Sequence, residues 1–244
     1  HREASKTMTK MKPAQMLKAI QNPVTKTLQT ATLARATRTD WSVSGIRLIV
    51  GLGNPDAQYE GTRHNAGAFF VRQLASRFNI ALSQDKNAVG EIGRGIVAGR
   101  DLRLLIPSTY MNHSGRSVAA TAHYYRIDPS DMLIAHDELD IEPGEARFKR
   151  DGGHGGHNGL RDIIPALGGQ RDFWRLRIGI GHPGSAAKVA AWVLSKASAD
   201  SRLAIEASID SAMDALPLLL EGDDIKAMTA LHSEHHGRAP LIKD

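Results

Sequence analysis

From Ile46 onward, short apolar runs of strand length alternate with stretches of helical periodicity. That alternation restricts the chain to an α/β domain, in which helices cover both faces of a sheet. Strands are expected at Ile46 to Val50, Gly95 to Ala98, Leu102 to Ile106, Met132 to His136, Ala146 to Lys149 and Trp174 to Ile180. Helices are expected to begin near Ala66, Ser114, Asn158, Ala186, Asp200 and Asp223. In the first helix Ala66, Phe70, Leu74 and Phe78 recur every four residues, which puts them on one buried stripe. In the last strand Trp174, Leu176, Ile178 and Ile180 alternate with Arg175, Arg177 and Gly179. One face of that strand is therefore apolar, and the other is expected to present guanidinium groups.

With 244 residues, 41% of them hydrophobic, the chain can fill one sizeable core and is short for two. No stretch approaches the roughly 18 uninterrupted apolar residues of a membrane-spanning helix, so a soluble protein is expected. There is no cysteine, which excludes a disulfide framework, a thiolate nucleophile and a cysteine zinc site. Any nucleophile must come from oxygen, nitrogen or water.

The net charge of +5 is unevenly spread. Residues 1–45 hold eight Lys/Arg and two acids, a net of +6, so the global pI is weak evidence for a nucleic-acid partner. Residues 147–177 say more: Arg147, Lys149, Arg150, Arg161, Arg171, Arg175 and Arg177 outnumber Asp151, Asp162 and Asp172. A basic surface inside the folded part is what a phosphate-tracking protein needs. Residues 1–45, rich in Thr, Ser, Ala and Lys, are expected to be a disordered extension. They are similar to an organellar transit peptide, although a translated leader accounts for them equally well.

Four clusters carry polar chemistry, and each follows an expected strand. The first is Gly51-Leu52-Gly53-Asn54-Pro55 with Tyr59 and Thr62-Arg63-His64-Asn65-Ala66-Gly67; the second is Pro107-Ser108-Thr109-Tyr110-Met111-Asn112-His113-Ser114-Gly115. The third is His136-Asp137-Glu138-Leu139-Asp140, and the fourth is the glycine-rich Gly152 to Leu160, with His154, His157 and Asn158. Loops at the carboxyl ends of strands open onto the crevice of an α/β sheet, so these positions suit a site. Asp56 and Pro55 rule out a dinucleotide fingerprint, and no glycine-rich run ends in Gly-Lys-Ser/Thr as a P-loop would.

Without cysteine or a Gly-x-Ser-x-Gly elbow, the simplest nucleophile is water deprotonated by His64. The developing imidazolium then needs an anion, and Asp137 is the best placed. Asn54 is the candidate donor to a tetrahedral oxyanion, while Asn112 and Asn158 are candidates to grip peptide amides or a terminal ribose. Simpler roles stay open: His64 as a surface or capping histidine, each asparagine satisfying its own turn, Asp137 capping a helix or pairing with an arginine. The glycine-rich stretch is either a loop needing positive φ or a backbone cradle for phosphate. A zinc centre on His154, His157 and His136 is a rival reading, weakened by so flexible a loop and by the lack of a helical His-Glu-x-x-His.

In these segments, together with Arg175-Leu176-Arg177-Ile178-Gly179-Ile180-Gly181-His182-Pro183, the chain resembles the bacterial-type peptidyl-tRNA hydrolases, in order and over residues 46 to 232. The resemblance implies a monomeric, cytoplasmic α/β domain with a twisted mixed sheet, no cofactor and no metal, acting on peptidyl-tRNA in translation, with residues 233–244 a tail. It implies that His64 is the base, that Asp137 orients it, and that Asn54 lies near the attacked carbonyl. Tyr59, Tyr110, Met111, Asn112, His157 and Asn158 would line the cleft, and Lys149, Arg177 and Arg147 would hold tRNA phosphates. One departure stands out: Asp56 occupies the place where the family usually has glycine after Asn-Pro. The alternative from another class is a non-catalytic RNA-binding protein on the same fold, which would be free to lose these residues.

Overall fold

A computed structural model describes residues 45–233. The extension expected over residues 1–45 and the tail over 233–244 therefore lie outside the described residues, save for residues 45 and 233 themselves. The described chain forms one seven-stranded sheet: β1 (Leu48–Gly51), β2 (Ser83–Asp85), β3 (Gly90–Val97), β4 (Arg100–Pro107), β5 (Met132–Glu138), β6 (Ala146–Arg150) and β7 (Trp174–Gly179). Their order across the sheet is β2-β3-β4-β1-β5-β7-β6. β4, β1, β5 and β7 run parallel, and β2, β3 and β6 are attached antiparallel at the two ends.

Six α-helices are described: α1 (Ala66–Arg77), α2 (Ser114–Tyr125), α3 (Asn158–Ala166), α4 (Ala186–Val193), α5 (Ala199–Glu221) and α6 (Asp224–Ser233). They cover both faces because β1 and β5 are buried along their length and present apolar residues on each side. On one face Ile49, Leu104, Leu133, Leu176 and Ile178 pack against α1, α5 and α6. On the other, Val50, Leu105, Met132 and Ile134 meet Val118 of α2 and Leu160 and Ile163 of α3. The stripe expected in α1 is present: Ala66, Phe70 and Leu74 are buried, and Phe78 caps the helix partly buried.

Two strands differ from expectation. β2 is absent from the sequence reading because Ser83-Gln84-Asp85 is polar and exposed, an edge strand held by its ladder to β3. β3 begins five residues before the expected Gly95, since Gly90, Gly93 and Gly95 interrupt the apolar pattern. Those glycines are there because Ile80 and the backbones of Ala81 and Ile106 come too close for a side chain.

The parallel strands all end on one side of the sheet. β1 sits at the centre, with β4 on one flank and β5 on the other, so the chain leaves β1 and returns on both sides of it. At such a switch point the loops diverge and leave a crevice, and three of the four polar clusters follow β1, β4 and β5 there.

Candidate active site

The first loop leaves β1 at Gly51 and reaches α1 through two short 3-10 turns, Ala57–Tyr59 and Arg63–Asn65. Arg63 anchors the second turn. Its guanidinium stacks on Trp192 at 3.5 Å and donates to the carbonyls of Ser195 and Lys196 at 3.2 and 3.1 Å. His64 is thereby turned inward and is only 7% exposed.

Its partner comes from the end of β5. His64 Nδ1 donates to Asp137 Oδ1 at 2.9 Å and lies 3.0 Å from Oδ2, with Asp137 3% exposed. The closeness of α1 to β5 that this requires rests on Gly67, where a Cβ would stand 2.1 Å from the carbonyl oxygen of Ala135. With Nδ1 carrying the proton toward the carboxylate, Nε2 of a neutral His64 keeps its lone pair, the state a general base needs.

Asp137 takes a second imidazole. His157 caps α3: its Nδ1 accepts from the backbone N–H of Leu160 at 3.3 Å, which fixes the proton on Nε2. That nitrogen donates to Asp137 Oδ1 at 2.9 Å. Burial alone would raise the Asp137 pKa, but the charges and hydrogen bonds of His64 and His157 prevail and hold it well below the usual carboxylate range. For His64, burial pulls the pKa down, yet the Asp137 charge and hydrogen bond outweigh it and leave it above 6.5. His136, buried behind the pair with its ring 5.0 Å from that of His157, is pushed down to about 3, chiefly by burial. His136 is neutral at any ordinary pH.

The asparagines come from the neighbouring loops. The Asn54 backbone is gripped at both ends by the Asn65 side chain, whose Oδ1 accepts from Asn54 N–H at 2.8 Å and whose amide donates to Asn54 C=O at 2.9 Å. Asn54 Oδ1 accepts from the backbone N–H of Met111 at 2.8 Å, so its NH2 is the end with donors to give. Met111 is buried, and a Cβ on Gly159 would touch its sulfur and the His157 ring, so the second and fourth clusters meet there. Asn112 and Asn158 are exposed beside them, and Asn158 Oδ1 accepts from Arg161 at 2.9 Å. Tyr59 closes the first 3-10 turn half-buried, and Tyr110 is 48% exposed at the start of the second cluster. A buried base with its carboxylate, beside an amide donor, is an arrangement that can hydrolyse an acyl ester.

The sequence profile described as peptidyl-tRNA hydrolase matches residues 48–238. The chain belongs to the peptidyl-tRNA hydrolase family. Among its relatives, the peptidyl-tRNA hydrolase of Azotobacter vinelandii is 55% identical over 191 residues, covering 78% of this chain and 98% of the relative. One from Pseudomonas putida is 56% identical over 192 residues, covering 79% and 99%. The crystal structure of the peptidyl-tRNA hydrolase from Acinetobacter baumannii is 51% identical and superposes with a TM-score of 0.75, covering 77% of this chain and 95% of that one.

Within this family member the basic surface departs from the sequence reading. Register puts Arg147 opposite Arg177 and Lys149 opposite Arg175, so all four share one face at the end of the sheet. Arg175, however, is 3% exposed, and its guanidinium donates to the carbonyls of Gly152 and Gly153. It pins the glycine-rich loop from beneath and is not presented to solvent, which corrects the expected open guanidinium face. Arg177 Nε donates to Glu138 at 2.8 Å, Arg147 pairs with Glu145 at 2.9 Å, and Lys149 is exposed.

The rival zinc centre on His154, His157 and His136 does not assemble. His154 Nδ1 accepts from Gly156 N–H within its own loop. Among the described residues the group with ligand atoms near enough for a metal is His64, Asp137 and His157, whose two imidazole N–H bonds to one carboxylate already account for its geometry. Sequence reasoning missed Asn65 and Arg161, which act on other residues' amides. Arg161 stands three residues after Asn158 on α3, a spacing that could have signalled the contact.

Proposed function

We propose that this chain hydrolyses the ester between peptide and tRNA with a water deprotonated by His64. The His64 Nε2 lone pair takes a proton from water, and the hydroxide adds to the ester carbonyl. The tetrahedral oxyanion accepts hydrogen bonds from the Asn54 NH2, a donor whose loss typically costs about 3 to 4 kcal/mol. Collapse breaks the bond to the ribose oxygen, which takes the proton back from the imidazolium and leaves as a tRNA hydroxyl. Asp137 stays ionised throughout, holding His64 in one tautomer and stabilising its positive form. No cofactor enters these steps.

The observation that carries this reading is the buried 2.9 Å bond between His64 Nδ1 and Asp137. Tyr59, Tyr110, Met111, Asn112 and Asn158 line the substrate's path, His157 steadies Asp137, and Lys149, with Arg147 and Arg177 once their acids yield, meets tRNA phosphates. The reading includes a monomer in the cytoplasm, which sedimentation and cell fractionation test.

Purified protein incubated with N-acetyl-aminoacyl-tRNA should release free tRNA, and His64→Ala should stop turnover while tRNA binding survives, because the base acts in the transition state more than in binding. Binding without any release by the parent protein would instead support the RNA-binding alternative.

A further inference from the structure

A cavity of about 590 Å³ borders the first loop and is lined in part by Asn54, Asp56, Arg72, Ile106, Ser108 and Ile205. Pro55, Asp56 and Ala57 are all exposed. Two bonds to the second loop reach across the top. The inner one is Met111 N–H to Asn54 Oδ1 at 2.8 Å, and the outer one runs from the Tyr110 hydroxyl to Asp56 Oδ2 at 2.7 Å. The outer bond has a side-chain carboxylate oxygen as its acceptor. A glycine at 56 could not make it.

We infer that Asp56 is a positioning residue for the substrate cleft: its carboxylate tethers the Tyr110 hydroxyl and fixes that aromatic ring in its binding position. The hydrogen bond to Asp56 and its charge raise the Tyr110 pKa further above neutrality, where the phenol is already protonated and can donate. With its proton committed to Asp56, Tyr110 offers the substrate a ring face held in place. A glycine at 56 would leave the ring to find its position only when substrate arrives, and that ordering would be subtracted from binding.

The inference rests on the hydrolase reading, and the test separates the two. kcat and KM on N-acetyl-aminoacyl-tRNA are measured for the parent, Asp56→Gly, Asp56→Asn, Tyr110→Phe and the Asp56→Gly/Tyr110→Phe double variant. Asp56→Gly and Tyr110→Phe should each raise KM roughly two- to fivefold, the worth of an exposed ion-assisted bond, with kcat changing by less than about twofold. Asp56→Asn keeps an oxygen to accept from the phenol and should stay near the parent. The double variant should be no worse than either single one, since both remove the same bond. Additive losses, an Asp56→Asn variant as impaired as Asp56→Gly, or an unchanged KM in Asp56→Gly would overturn the tether. A parent protein that cleaves nothing would sink the hydrolase reading itself.

Discussion

Asp137 accepts one N–H from His64 and another from His157, so its charge is divided between two imidazoles. Only His64 has a free ring nitrogen to use, because the second nitrogen of His157 is spent on capping α3. His64 must be neutral to act as a base, and its pKa is held above 6.5 by Asp137 against the pull of burial. The acid limb of kcat/KM should therefore fall above pH 6.5, with activity rising as His64 loses its proton. Asp137→Asn removes the raising influence and leaves the lowering one, so that limb should move to lower pH while kcat drops on the order of 10² to 10⁴. A limb that stays in place in Asp137→Asn would mean another group titrates.

At the scale of elements, the site depends on how closely α1 seats against β1 and β5. Gly67 lies in the first turn of α1, and a Cβ there would meet the Ala135 carbonyl oxygen at 2.1 Å and the Leu52 nitrogen at 2.7 Å. In an open helix Gly→Ala stabilises by about 1 kcal/mol. Here the overlap with backbone is the larger effect, since neither strand can move without breaking its ladder. Gly67→Ala should cost roughly 1 to 3 kcal/mol in chemical denaturation and a larger share of kcat, because pushing α1 outward draws His64 away from Asp137. Full activity in a folded Gly67→Ala protein would show that the helix seat does not set the pair. The sequence announced α1 clearly, through Phe70 and Leu74, but the need for glycine at 67 comes from β5, 68 residues further along.

Across the whole molecule, the titrating groups of the core set how it tolerates acid. His136 is neutral when folded down to about pH 3, while the unfolded chain binds a proton below 6.5. Between these values the unfolded state holds the extra proton, so stability falls as pH falls, by up to about 1.4 kcal/mol per pH unit. Asp137 has the depressed pKa of a paired carboxylate, so its contribution is intact above 3.8 and is lost only in stronger acid. His64 has the opposite sign: its contribution is complete below 6.5 and disappears as pH rises through its raised pKa. Denaturation curves should therefore weaken steadily below pH 6.5, and His136→Asn, which can keep the bond to the Asp137 carbonyl, should flatten that slope. An unaltered slope would locate the acid sensitivity elsewhere. The sequence by itself determined the α/β class, all six described helix starts to within a residue, and the residue types at the site, because apolar periodicity and strand-to-loop transitions are local and are written in neighbouring residues. It could name His64 and Asp137 as partners but not show their contact, and it misjudged Arg175 as open to solvent. Only the tertiary structure decided those points: burial, hydrogen-bond partners and pKa depend on which distant segments the sheet order brings together, and the carboxylate that raises the His64 pKa lies 73 residues away along the chain.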